Sequence, residues 1–153
     1  MNETPTEEPA VDQKDFAHFL QGLNLETMRV RELKVDAKQE FAHNQLKTVR
    51  HHEEYSYEYS EDGPLRIDAS FQVQIIGPKK KKLGAISVMF SWYYTSEQPI
   101  TDDIFKIFGP MVRFQTWPHL REVIQSTATR VNWPRLTIPL LVAQNPSKEA
   151  SPP

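Results

Sequence analysis

The stretch Trp117-Pro118-His119-Leu120-Arg121-Glu122-Val123-Ile124-Gln125-Ser126-Thr127-Ala128-Thr129-Arg130-Val131-Asn132-Trp133-Pro134-Arg135-Leu136-Thr137-Ile138 decides the reading of the fold. Leu120, Val123, Ile124, Thr127, Ala128 and Val131 recur as one face of an amphipathic helix. Pro118 stands where a first helical residue should be, since its missing N–H is one that a helix start leaves unbonded anyway. Pro134 stops the helix. Leu136 and Ile138, then Leu140, Leu141 and Val142, predict an extended apolar tail. The stretch holds no nucleophile–base pair and no phosphate-binding loop.

Upstream, Thr101-Asp102-Asp103 reads as a helix start with acid in the first turn. A dense apolar run follows, Ile104, Phe105, Ile107, Phe108, Met111, Val112, Phe114 and Trp117, interrupted by Gly109-Pro110. Such a run is more than one helix can bury on one face of one sheet. It predicts either a second protomer or apolar segments of other proteins as its cover.

Before residue 100 the period changes from helical to two. Leu65, Ile67, Ala69, Phe71, Val73 and Ile75 alternate with Arg66, Asp68, Ser70, Gln72 and Gln74, predicting a strand with one buried and one wet face. A strand over 83–95 carries Ile86, Val88, Phe90, Trp92 and Tyr94 on one face, and a strand over 45–59 carries Tyr55, Tyr57 and Tyr59 on one face. The first strand, over 27–41, is rich in charge. Val30 falls out of phase with Leu33 and Val35 there, which predicts a bulge. Asp62-Gly63-Pro64 and Gly77-Pro78 mark turns, and a four-stranded antiparallel meander fits them. Ahead of the sheet, Phe16, Phe19, Leu20 and Leu23 predict a short helix from Asp12, ended at Gly22, that either docks on its own core or binds a partner. The expected fold class is therefore α+β: an antiparallel meander packed with a long C-terminal helix, plus a short N-terminal helix. Residues 1–10 read as a disordered lead-in, 11–144 as a single domain and 145–153 as a disordered tail.

With 153 residues, no cysteine and a formal charge of −2, the chain offers no thiol chemistry, no disulfide and no global pull toward nucleic acid or anionic lipid. An acidic N-terminus without an apolar core predicts no signal peptide, and no apolar run reaches the ~20 residues of a membrane helix. A cytoplasmic location fits.

The remaining motifs carry little chemistry. Lys79 to Lys82 lie between two strands and read as a solvated hairpin tip that discourages edge pairing. A reading as a single-stranded nucleic-acid site would pair them with Tyr55, Tyr57 and Tyr59. His51 and His52 point to opposite faces of a strand, so one ion could not take both, and no metal or other cofactor is expected. Glu122, flanked by Arg121 and followed by Arg130, predicts a structural ion pair on the helix flank. The serines and threonines lack a nucleophile elbow, and the reading is not an enzyme.

On its aromatic-Pro-x-x-Arg-Glu start (Trp117, Pro118, Arg121, Glu122), an Arg eight residues after the Glu (Arg130), and the exit Trp133-Pro134-Arg135-Leu136-Thr137-Ile138, the chain resembles the SecB family of export chaperones. The likeness runs over residues 28–138. It implies an α+β fold with one antiparallel sheet, assembly as a dimer of dimers through sheet edge and long helix, and apolar grooves that hold unfolded clients without ATP. In those terms Pro118, Arg121, Glu122, Arg130, Pro134 and Leu136 belong to scaffold and interface. Ile104, Phe105, Phe108, Met111, Phe114 and Trp117 line the client groove. Where SecB continues with an Asn-Phe-aspartate motif and a second helix, this chain reads Pro139-Leu140-Leu141-Val142. SecB also presents acidic groups on its sheet to the motor SecA, whereas the first strand here is mixed to basic. The helix before that strand looks more like the SecB-like chaperones of toxin–antitoxin pairs. The expected function is thus an ATP-independent holdase for precursor proteins or an antitoxin. The alternative is an oligomeric interaction module with one fixed partner.

Overall fold

The computed structural model describes residues 11–37, 40–60 and 63–136; the expectations for 1–10, for the apolar tail past Leu136 and for 145–153 fall outside them. Its elements are α1 (Gln13–Gln21), β1 (Leu23–Asp36), β2 (Thr48–Glu58), β3 (Leu65–Ile76), β4 (Lys82–Ser96) and α2 (Asp102–Arg130). The fold is α+β, with one four-stranded antiparallel sheet, a long C-terminal helix and a short N-terminal helix.

The strand order is β1-β4-β3-β2. This corrects the four-stranded meander. Only β2, β3 and β4 follow one another through turns, while β1 lies beside β4 and reaches β2 by a connection across the sheet, a Greek-key order. Turn residues report where a strand ends and not which neighbour it finds, so β1 was free to pair elsewhere. Two register shifts, between Leu25 and Thr27 and between Val30 and Glu32, interrupt β1. They are what re-phases the strand. Leu25, Met28, Val30, Leu33 and Val35 face Tyr94, Trp92, Phe90, Val88 and Ile86 across the ladder, so β1 adds its apolar residues to the same sheet face as β4.

That face is the core. Leu65, Ile67, Ala69, Phe71, Val73 and Ile75 of β3 are buried, as are Ile86, Val88, Phe90, Trp92 and Tyr94 of β4. The outer face carries a polar network. Asp68 accepts from Ser91 Oγ at 2.5 Å and from Arg66 Nε at 3.2 Å, with Arg31 at 3.5 Å from beyond β4 and Glu58 bound to Arg66 at 2.6 Å.

Helix α2 is continuous from Asp102 through both prolines to Arg130, so Pro118 is not a helix start. Thr101 caps it, its hydroxyl accepting from the Ile104 N–H at 3.2 Å. Each internal proline removes a helical hydrogen bond, at a cost of ~3 kcal/mol. Lys106, Pro110, Phe114 and Pro118, four residues apart, are all exposed, so the bonds lost to the carbonyls of Lys106 and Phe114 lie on the side that water can reach. Buried positions meanwhile continue at every turn across both prolines, through Ile104, Phe108, Val112, Trp117, Leu120, Ile124 and Ala128. Burying each of these larger apolar side chains is worth about 1.5–3 kcal/mol, enough in sum to offset the prolines.

The helix is closed by Asn132, just past its C-cap Val131 and ahead of Pro134. Asn132 is left-handed at φ 57°, its N–H donates to Thr129 and the Trp133 N–H donates to Ala128. This is the paired bond pattern of a Schellman cap. Trp133 then packs against Phe41 with ring centroids 5.6 Å apart, and Leu136 is fully buried. At the other end, Asp12 caps α1 and Phe19 sets its ring edge-on to Phe108 at 5.8 Å. Of the two readings of α1, docking on its own core is the one observed.

Candidate functional site

Helix α2 divides the core face into two clefts. Trp117 and Leu120 line one flank of the helix, Val123 and Thr127 the other. On the β2 side, Trp117 and Leu120 overhang Val49, His51 and Val73, and the connection before β2 adds His43, Leu46 and Lys47. Arg135 closes one rim of this cleft of about 380 Å³. On the β1 side, Val123 and Thr127 face Met28, Val30 and Leu33 across a floor of Phe90, with Glu122 and Arg130 on the rim of a cleft of about 350 Å³.

The β1 side exposes the larger apolar surface. Leu25, Val30, Leu33 and Val35 are 53%, 46%, 44% and 38% exposed, on an edge strand whose other face is charged. Sequence reasoning read β1 by its charges and missed this strip. The period-two alternation of Leu33 and Val35 was its signal.

The six residues expected to form one client-facing surface divide into three settings. Ile104 and Phe108 are buried in the core. Phe105 is half-buried against Tyr57, with ring centroids 4.6 Å apart, and Trp117 is buried while lining the β2-side cleft. Met111 and Phe114 are 39% and 50% exposed on the outer face of α2. The motif residues are equally spread. Pro118 is exposed, Pro134 half-buried and Leu136 buried. Glu122 makes no ion pair with a described residue, against the expected pairing with Arg121 or Arg130; eight helical positions separate it from Arg130.

The electrostatics favour the β2 side as a built surface. Arg113 Nε lies 2.5 Å from Glu53 Oε1, and its guanidinium sits over the Trp117 ring at 5.5 Å. His51 meets the same indole edge-on at 5.4 Å, while its neighbour His52 points to the outer face and bonds Glu54 at 3.1 Å. Burial, then the Glu53 carboxylate, pushes the Tyr55 hydroxyl above its ordinary range, so it stays neutral. Among the described residues no group of three or more His, Asp or Glu converges on a metal site, and no helix is long and apolar enough to cross a membrane.

The tyrosine–lysine pairing suggested for nucleic acid is separated by the fold. Tyr55 and Tyr57 pack on the core face, Tyr57 donating to the Asp102 carboxylate, at the far end of β2 from Lys79 to Lys82. Thr48, which pairs with Ile76 next to the lysine turn, is nine residues from Tyr57, about 30 Å along a strand.

No family model matches this chain, and no curated protein does. Among solved structures, the Mycobacterium tuberculosis Rv1957 SecB-like chaperone, in complex with a ChAD peptide from the Rv1956 HigA1 antitoxin, matches at a TM-score of 0.75. The identity is 14%, over 87% of this chain and 100% of that one. At this identity the likeness shows the fold, which is SecB-like.

Proposed function

We propose that the chain is an ATP-independent holdase that keeps unfolded or aggregation-prone polypeptides in solution by burying their apolar segments. The observation that carries this reading is the apolar surface that the clefts on both sides of α2 and the β1 strip leave exposed. The SecB-like fold supports it, as does the antitoxin peptide held by the structural neighbour. The two surfaces take different occupants. Edge strand β1, whose outer backbone pairs with no described residue, with its strip of Leu25, Val30, Leu33 and Val35, is the surface for a second copy of the chain, and α2 builds a dimer of dimers. Clients occupy the β2-side cleft beside Trp117 and the outer ridge of Met111 and Phe114, with Phe105 at its border; Ile104 and Phe108 support that surface from the core.

Each Leu- or Phe-sized client side chain buried in this way contributes about 1.5–3 kcal/mol, so several spread contacts give tight binding without sequence choice. Clients would be precursor proteins or an antitoxin, met in the cytoplasm. A panel of unrelated unfolded peptides tests the reading by fluorescence anisotropy. Binding of many at comparable affinity supports the holdase. Binding of one alone would make the protein a module with a fixed partner.

A further inference from the structure

The two clefts differ in charge. The β1-side rim holds Glu122 and His119 as well as Arg130. Among the described residues, the β2-side lining holds Lys47, Arg135, His43 and His51 and no carboxylate. Glu53 comes near from outside the lining: its Oε1 pairs with Arg113 at 2.5 Å, and its buried Oε2, 3.7 Å from His51 Nε2, makes no hydrogen bond to a described residue. Arg121, one helical turn past Trp117, adds a further cation whose buried Nε makes no hydrogen bond to a described residue. The rim continues into the β3–β4 turn, because the Lys47 N–H donates to Ile76 at 2.9 Å and the four lysines begin three residues later at Lys79. No acidic residue interrupts the chain between Asp68 and Glu97, or between Glu122 and Leu136. The formal charge of −2 therefore conceals one end where Lys47, Lys79 to Lys82 and Arg135 outnumber Asp36 and Glu40, set against an end where Glu58, Glu97, Asp102 and Asp103 outnumber Arg66 and Lys106.

Resting on the holdase reading above, we infer that the β2-side cleft selects extended client segments that are apolar in the middle and acidic at their ends. The apolar floor of Leu46, Val49 and Trp117 takes the side chains. Lys47 and Arg135, both exposed, meet the carboxylates, and a segment with cationic ends is repelled by the same groups.

Three fluorescein-labelled peptides sharing one short apolar core, and ending in Glu, Gln or Lys pairs, separate the inference from its premise. At low salt the Glu-ended peptide binds about fivefold to tenfold more tightly than the Gln-ended one and the Lys-ended one binds weakest, the scale of a few exposed charge pairs. The gap closes between about 0.01 and 1 M salt, as the screening length falls from ~30 to ~3 Å. The Lys47→Glu/Arg135→Glu variant, at two exposed positions, inverts the order while keeping its circular dichroism spectrum and Tm. Equal or reversed affinities with all three peptides bound overturn the charge selection and leave the holdase standing. Failure of all three to bind overturns both. A preference lost only when Lys79 to Lys82 become Gln assigns it to the turn instead of the cleft and overturns the inference. So does a low-salt complex with an oligonucleotide when the Glu-ended peptide does not bind.

Discussion

Trp133 packs so closely on Gly84 that a Cβ at position 84 would lie 2.5 Å from its Cζ2 and 2.7 Å from its Cη2, with the Asp36 carbonyl 2.8 Å away. The contact fixes the end of α2 to β4 and, through Phe41, to the crossing from β1 to β2. Gly84→Ala should therefore cost about 1–3 kcal/mol by overpacking. Trp133→Leu should recover part of that cost in the double variant, leaving the share due to the backbone carbonyl. Urea denaturation of the four members of the cycle measures the coupling.

The helix is also tied to the sheet by one buried polar chain. Trp92 Nε1 donates to Thr116 Oγ1 at 2.8 Å, and that hydroxyl donates to the Val112 carbonyl at 2.7 Å. Thr116→Val keeps the shape and leaves a buried indole N–H unbonded, a loss of about 1–3 kcal/mol. Thr116→Ser should retain most of the stability. A chemical denaturation midpoint that does not move for Thr116→Val would show that the bond is not made in solution.

The β3–β4 turn is strained in a way that can be relieved. Lys79 and Lys80 adopt φ of 57° and 58°, and the Lys81 N–H donates to the Pro78 carbonyl at 3.2 Å. Consecutive left-handed residues belong to the hairpin turn that Asn-Gly prefers, and the left-handed conformation costs other residues about 1–2 kcal/mol each. Lys79→Asn with Lys80→Gly should raise the urea midpoint by the equivalent of roughly 1–2 kcal/mol.

How far the sequence speaks depends on what each residue answers to. The alternation from Leu65 to Ile75 and the offset at Val30 are local signals, and both appear in the fold as a half-buried strand and a bulge. The pairing of β1 with β4 is a long-range choice that no turn residue encodes. The prolines misled because Pro118 was weighed by its own preference, whereas buried positions from Ile104 to Ala128 continue at every turn across it. Asn132 carried the true helix end, in a residue type that tolerates left-handed backbone. At the candidate site, Trp117 was legible as an apolar anchor, but its partners Leu46, Val49 and His51 lie over sixty residues away in sequence and meet it only through the fold.

The β1 strip makes a prediction about assembly. Val30→Ser with Leu33→Ser removes two half-exposed apolar side chains, so the folded chain and an interface covering the exposed half each lose about 0.7–1.5 kcal/mol per side chain. Light scattering coupled to gel filtration should show a smaller assembly than the parent protein. A parent that is already monomeric would place the strip outside any self-association.

The central claim is tested most directly by the turbidity of a chemically denatured client diluted into buffer without ATP. The account predicts that near-equimolar protein suppresses the rise, and that Met111→Ser with Phe114→Ser, at half-exposed positions where each change costs the fold about 1 kcal/mol, weakens that suppression while the protein stays folded by circular dichroism. Turbidity that rises equally with and without the protein would contradict it.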